Sequence, residues 1–155
     1  SNSNILMSNT AKWNMEYGGF FLENSHYNTL TSNVAEENGG GFALYFSGHN
    51  TLTSNTANEN VEDGFSIASL SNNNTLTSNT ANENNRGLLL YGSDGNSLHS
   101  NTAIGNWNFG INLGSYCDYN AFAHNMAFDN GYDIYRDAEG TGNTWLYDAY
   151  GTRNW

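Results

Sequence analysis

The stretch Asn74-Thr75-Leu76-Thr77-Ser78-Asn79-Thr80-Ala81-Asn82-Glu83-Asn84, with Gly87-Leu88-Leu89-Leu90 just after it, recurs in varied form along the whole 155-residue chain. Copies open at Asn4, Asn28, Asn50, Asn74, Asn96 and Asn120, with a shortened copy at Asn143, so that successive spacings run 24, 22, 24, 22, 24 and 23 residues. Repeats this short belong to solenoids, in which a unit buries its apolar face only by stacking on its neighbour. In the copy Asn28-Thr29-Leu30-Thr31-Ser32-Asn33 the apolar residue stands between two threonines, the period-two alternation of a strand. The expected fold is therefore all-β: a parallel β-helix, or β-solenoid of stacked β-arches, with about six coils of 22–24 residues in a single domain over 1–155.

Three apolar columns supply the core of that expectation. One runs Leu6, Leu30, Leu52, Leu76, Leu98, Phe122, Trp145, and a second is alanine at Ala11, Ala35, Ala57, Ala81, Ala103 and Ala127. The third comprises Phe20/Leu22, Phe42/Leu44, Phe65/Ile67, Leu88/Leu90 and Ile111/Leu113, each pair preceded by a glycine that reads as a turn or bulge requiring positive φ. Asparagine fills three further columns, Asn9 to Asn125, Asn14 to Asn130 and Asn28 to Asn143. At the roughly 4.8 Å spacing of parallel strands, one amide can donate to the next, so these columns read as corner ladders. Asn also tolerates the left-handed conformation that tight corners demand.

Composition narrows the function classes. Fifteen acids against Lys12, Arg86, Arg136 and Arg153 leave a formal charge of −11. Nucleic acid and anionic membrane are thereby excluded as partners, because neither has cations to attract it. No apolar run is long enough to cross a bilayer. The absence of a leader and of an initial Met reads as a processed or trimmed chain, and the Asn-rich, Lys-poor composition fits an extracellular setting.

Few residues break the repeat in a way that suggests chemistry. Asp129, Asp133, Arg136 and Asp137 cluster in the sixth copy, but a terminal coil turning towards solvent explains them equally, so no catalytic residue is assigned. His26, His49, His99 and His124 occupy different repeat positions, and a pair such as His99 and His124 is too few for a zinc site. Glu37, Glu59 and Glu83 share one position, where stacked carboxylates either splay into water or trap calcium between coils. No other cofactor is expected. Thr29/Thr31, Thr51/Thr53 and Thr75/Thr77 form a flat grid resembling that of ice-binding solenoids, over three coils only. Cys117, the sole cysteine, is either an inert small residue or a lateral cross-link between chains.

The phrases Asn-Thr-Leu-Thr-Ser-Asn-Thr-Ala-Asn-Glu-Asn and Gly-Phe-x-Leu resemble the right-handed parallel β-helix repeats of the NosD-like, carbohydrate-binding and sugar-hydrolase group. That resemblance implies the fold over essentially the whole chain and leaves activity open. A chain of nothing but such repeats also resembles the amyloid-like subunits of the tubular cell sheaths of methanogenic archaea, which implies a structural, non-enzymatic role outside the cell. Bare strand edges favour the same reading, since they template further pairing. Head-to-tail contact of Ile5, Leu6 and Met7 with Trp145, Tyr147, Tyr150 and Trp155 of another copy would build a homopolymer. The alternative is an extracellular glycan-binding or glycan-processing module. An aromatic-floored groove with clustered acids would favour glycan.

Overall fold

The computed structural model describes residues 1–16, 18–137 and 140–152, which form a stack of coils with three walls. The first wall contains β1 (Ile5–Met7), β4 (Thr29–Thr31), β7 (Thr51–Thr53), β10 (Thr75–Thr77), β13 (Ser97–His99), β16 (Ala121–Ala123) and β19 (Thr144–Leu146). The second contains β2 (Thr10–Lys12), β5 (Val34–Glu36), β8 (Thr56–Asn58), β11 (Thr80–Asn82), β14 (Thr102–Ile104), β17 (Met126–Phe128) and β20 (Ala149–Tyr150). The third contains β3 (Phe20–Glu23), β6 (Phe42–Tyr45), β9 (Asp63–Ala68), β12 (Arg86–Tyr91), β15 (Phe109–Leu113) and β18 (Tyr132–Arg136). Every pairing is parallel, each strand bonding to its counterpart one coil away.

The expected columns are in register. Leu30, Leu52, Leu76 and Leu98 follow one another inward with no exposed surface, and Phe122 closes on Trp145 in a 3.9 Å stack. Phe20, Phe42 and Phe65 stack at 4.7 and 4.8 Å along the third wall. All of these, with the alanines, belong to one continuous core.

Asparagine holds the three corners. Asn79 is typical: its backbone N–H and Nδ2 both donate to Asn101 Oδ1 (2.9 and 3.0 Å), and Nδ2 also donates to the Leu52 carbonyl (2.9 Å). Its own Oδ1 accepts the matching pair from Asn55, so a fully buried amide leaves no polar group unsatisfied. Two ladders end in carboxylates. Asp148 Oδ1 accepts from Asn125, and Asp133 Oδ1 from Asn130, at 2.7–3.0 Å.

Two local expectations need correction. The left-handed residue at a corner is the one before each ladder Asn, as at Ser78 (φ 55°), Glu83 (φ 56°) and Asn73 (φ 58°). Placing the turn one residue earlier lets the Asn side chain point inward and cap the backbone. The glycines at the start of the third wall are needed for space instead of positive φ. A Cβ on Gly64 would lie 2.8 Å from both the Ala81 Cβ and the Gly87 carbonyl oxygen, so the alanine and glycine columns mark where the second and third walls meet.

Leu76→Ala is expected to cost about 2–5 kcal/mol in chemical denaturation, the range for truncating a buried leucine. Gly87→Ala should cost about 1–3 kcal/mol by overpacking, because its Cβ would press on the Ala103 Cβ at 2.8 Å. A solvent-facing control, Thr75→Ala, should change stability by less than about 0.5 kcal/mol.

Candidate functional site

The inward half of each coil is nearly invariant, so chemical individuality lies on the outward faces. The outer face of the third wall varies most. Its columns read Asp63, Arg86, Phe109, Tyr132 and Phe21, Ala43, Ser66, Leu89, Asn112, Tyr135. At the coil-one to coil-three end lies a cleft of about 400 Å³, lined by Met15, Glu16, Phe21, Tyr45, Glu62 and Asp63 among others. Phe21 and Tyr45 form its aromatic side, with ring centroids 5.6 Å apart. Asp63 is buried and paired to Arg86 Nε, while Arg86 Nη2 lies 3.9 Å from Glu62 Oε2. Burial pushes the Asp63 carboxyl above its ordinary range, against the opposing pull of the Arg86 guanidinium.

Three coils further along the same face, Phe109, Tyr132 and Tyr135 gather with centroids 4.6–6.1 Å apart. Asn112, flanked in its column by Leu89 and Tyr135, is buried there, and its Oδ1 has no hydrogen-bond partner among the described residues. Sequence reasoning missed Asp63, Arg86, Asn112 and this aromatic group. Their signal was the departure of outward positions from the repeat, which is visible only once the wall is known.

The residues singled out from sequence have other roles. Glu37, Glu59 and Glu83 form one exposed row at left-handed corners, where Glu37 Oε2 accepts from the Trp13 indole at 3.1 Å. Among the described residues no three His, Cys, Asp or Glu side chains gather closely enough to hold a metal ion, so the expected calcium bridge is not built. His99 and His124 meet edge-on at 5.2 Å without further ligands. The threonine grid forms in register across β4, β7 and β10.

Of the proposed contact residues, Ile5, Met7 and Tyr147 are exposed, whereas Leu6, Trp145 and Tyr150 pack partly on the core. Trp155 lies outside the described residues. The lateral cross-link through Cys117 is corrected: the thiol is fully buried and donates to the Ser115 carbonyl at 3.6 Å. It continues a buried serine column, Ser25, Ser47, Ser71 and Ser93, in which the hydroxyls of Ser47, Ser71 and Ser93 each accept a backbone N–H from the preceding coil. Asp133 is likewise structural, its Oδ2 accepting from Gly151 N, Thr152 N and Thr152 Oγ1. Asp137 Oδ2 accepts from Ser115 Oγ.

Residues 1–152 match the family described as NosD, periplasmic copper-binding protein. The chain belongs to the NosD family. No curated protein is a significant sequence match. Among solved structures, the periplasmic alginate epimerase AlgG superposes with a TM-score of 0.88 at 17% identity, over 97% of this chain and 40% of that one. A point mutant of that epimerase gives 0.70 at 17% identity, over 99% and 47%. The chain thus spans less than half the length of these structures, and at this identity the likeness is one of fold. The expectation of a chain with no enzymatic activity is withdrawn, because the structural neighbours spanning nearly its whole length are an enzyme. These matches carry the NosD likeness and not the finer one to a sheath subunit. Copper in the family's name finds no donor set here: Cys117 is sealed in its serine column, and no three-ligand cluster exists among the described residues.

Two outcomes are expected. Cys117 should resist a thiol-specific reagent in the native protein, react after unfolding, and tolerate Cys117→Ser with unchanged or higher melting temperature. For Asp133, burial favours the neutral form, but hydrogen bonds from Asn130 and Thr152 outweigh it and lower the folded pKa below the ordinary 3.8. Its stabilisation is therefore complete above 3.8 and is lost as pH falls through the lowered value. Amide hydrogen exchange at Gly151 and Thr152 should accelerate across that window, and Asp133→Asn should abolish this pH dependence.

Proposed function

We propose that the chain is a periplasmic or extracellular glycan-processing β-helix module whose ligand lies on the outer face of the third wall. One observation carries this reading: the aromatic and carboxylate-lined cleft of Phe21, Tyr45, Glu16, Glu62 and Asp63. Sugar rings stack on aromatic side chains while acids and amides accept from their hydroxyls. The Phe109, Tyr132 and Tyr135 group, beside the unsatisfied Asn112 Oδ1, offers the same chemistry further along. Successive coils repeat these positions at roughly 4.8 Å, which suits an extended polymer running along the stack. Asp63, with its carboxyl held above the ordinary range beside the Arg86 cation, is the group best placed for proton transfer. The AlgG fold supports a role on sugar polymers, and the names of both family and neighbour support a place outside the cytoplasm.

A glycan library screened against the whole chain should yield ligands that Tyr45→Ala binds at least tenfold more weakly. Sugar products followed by NMR should vanish with Asp63→Asn while binding persists. No bound glycan, or full binding by Tyr45→Ala, overturns the reading.

The exposed Ile5 and Met7 support a second reading, in which copies stack head to tail into a sheath-like assembly. Sedimentation should then show concentration-dependent growth that Leu6→Pro prevents; a monomer at all concentrations overturns it.

A further inference from the structure

A second cleft, of about 510 Å³, adjoins the first across Val61, which lines both. It is lined by Glu59, Asn60, Val61, Glu83, Asn85, Trp107 and Asn108. Trp107 is 84% exposed, the largest exposure of any big apolar residue described. An indole left this open presents its face to whatever enters the cleft, since burial of that ring would be favourable. Glu59 and Glu83 stand one coil apart in the same corner row, and the next residue of that row is Gly105, which has no side chain to close the space above Glu83. Asn108 Nδ2 donates to Asn85 Oδ1 at 2.6 Å, fixing the floor beside the indole.

The charges of the two clefts agree. Glu16, Glu62 and Asp63 line the first and Glu59 and Glu83 the second, and no Lys or Arg lines either. Of the chain's cations, Arg86 is held by Asp63 and Glu62, and Lys12 by Glu36. A polyuronate such as alginate would bring carboxylates against carboxylates with no cation among the lining residues of either cleft. Two carboxylates lining one cleft with an exposed indole suit an organic ammonium, which takes ion pairing from the former and cation–π attraction from the latter.

Resting on the glycan reading above, we propose that the paired clefts select a glycan carrying free amino groups, with an ammonium seated between Trp107, Glu59 and Glu83. The sugar rings continue across Val61 onto Phe21 and Tyr45. The ligand class is thus opposite in charge to the polymer named for the structural neighbour.

The test uses three probes of equal length: a β-1,4-linked glucosamine hexamer, its fully N-acetylated counterpart and a hexauronate. Calorimetry with the whole chain should show the amine hexamer binding at least tenfold tighter than the acetylated one, with affinity falling as salt rises, and the uronate not binding. The double variant Glu59→Gln/Glu83→Gln should lose that preference, and Trp107→Ala should weaken the amine hexamer at least fivefold. All three positions are exposed, so unchanged melting curves separate these effects from misfolding. Equal affinity for amine and acetylated hexamers, a preference for the uronate, or an unaltered preference in the double variant overturns the proposal while leaving a glycan role standing. Failure of all three probes alongside binding of another library glycan also overturns it; failure of every glycan overturns the glycan reading itself.

Discussion

The amide of asparagine is the interaction on which the structure depends. At a typical corner one side chain accepts two hydrogen bonds from the preceding coil, and donates to the amide of the next coil and to a backbone carbonyl of the preceding one, as Asn79 does with Asn55, Asn101 and Leu52. A corner satisfied this way has little freedom to shift, because a displaced amide would leave several buried groups unpaired at once. The path of every coil is therefore set by its corners, and the apolar columns fill the space that the corners define. The residue just before each Asn, forced into the left-handed region, points away from the core and is released from packing duties. That release is why Glu59, Glu83, Tyr27 and His49 can all occupy such positions.

Much of the fold was legible because inward positions obey a single rule. Leu76 and Ala81 had to repeat at the coil period for any core to exist, and the register places them as the spacing predicts. Roles that depend on a neighbour in space were harder to read. Asn79 looked like the turning residue when Ser78 makes the turn, and Gly87 looked conformational when it is steric, because the alanine it faces lies on another wall. Cys117 drew attention as the only thiol, although Ser25, Ser47, Ser71 and Ser93 share its column. The functional face was least legible. Its residues, Asp63, Arg86, Phe109 and Tyr132, occupy one column without resembling one another, so the repeat that exposes the fold conceals the site.

A rigid scaffold with a variable outer face separates stability from recognition. The Asp63–Arg86 pair shows the limit of that separation, since Asp63 is buried and its carboxyl sits in a position that costs solvation. Such a residue is tolerated where the wall around it is fixed by ladders that do not involve it. The exposed Trp107 and the half-open aromatic group near Tyr135 extend the same pattern: groups that contribute little to the core are held on a surface that cannot rearrange to hide them.

The ladders also have a direction, and it bears on how such a chain can change its length over evolution. Within the run from Asn28 to Asn120, an extra coil of the same kind would receive the donors of one neighbour and supply those of the other, so a tandem duplication there leaves the hydrogen-bond inventory balanced. The same duplication placed after Asp148 or Asp133 would present an incoming amide oxygen with a carboxylate that has no N–H to give. Lengthening is thus nearly neutral in the interior and penalised at these two aspartates, which act as stop marks in an otherwise repetitive text. A lineage of such solenoids would add coils within the run from Asn28 to Asn120 and not directly after these aspartates.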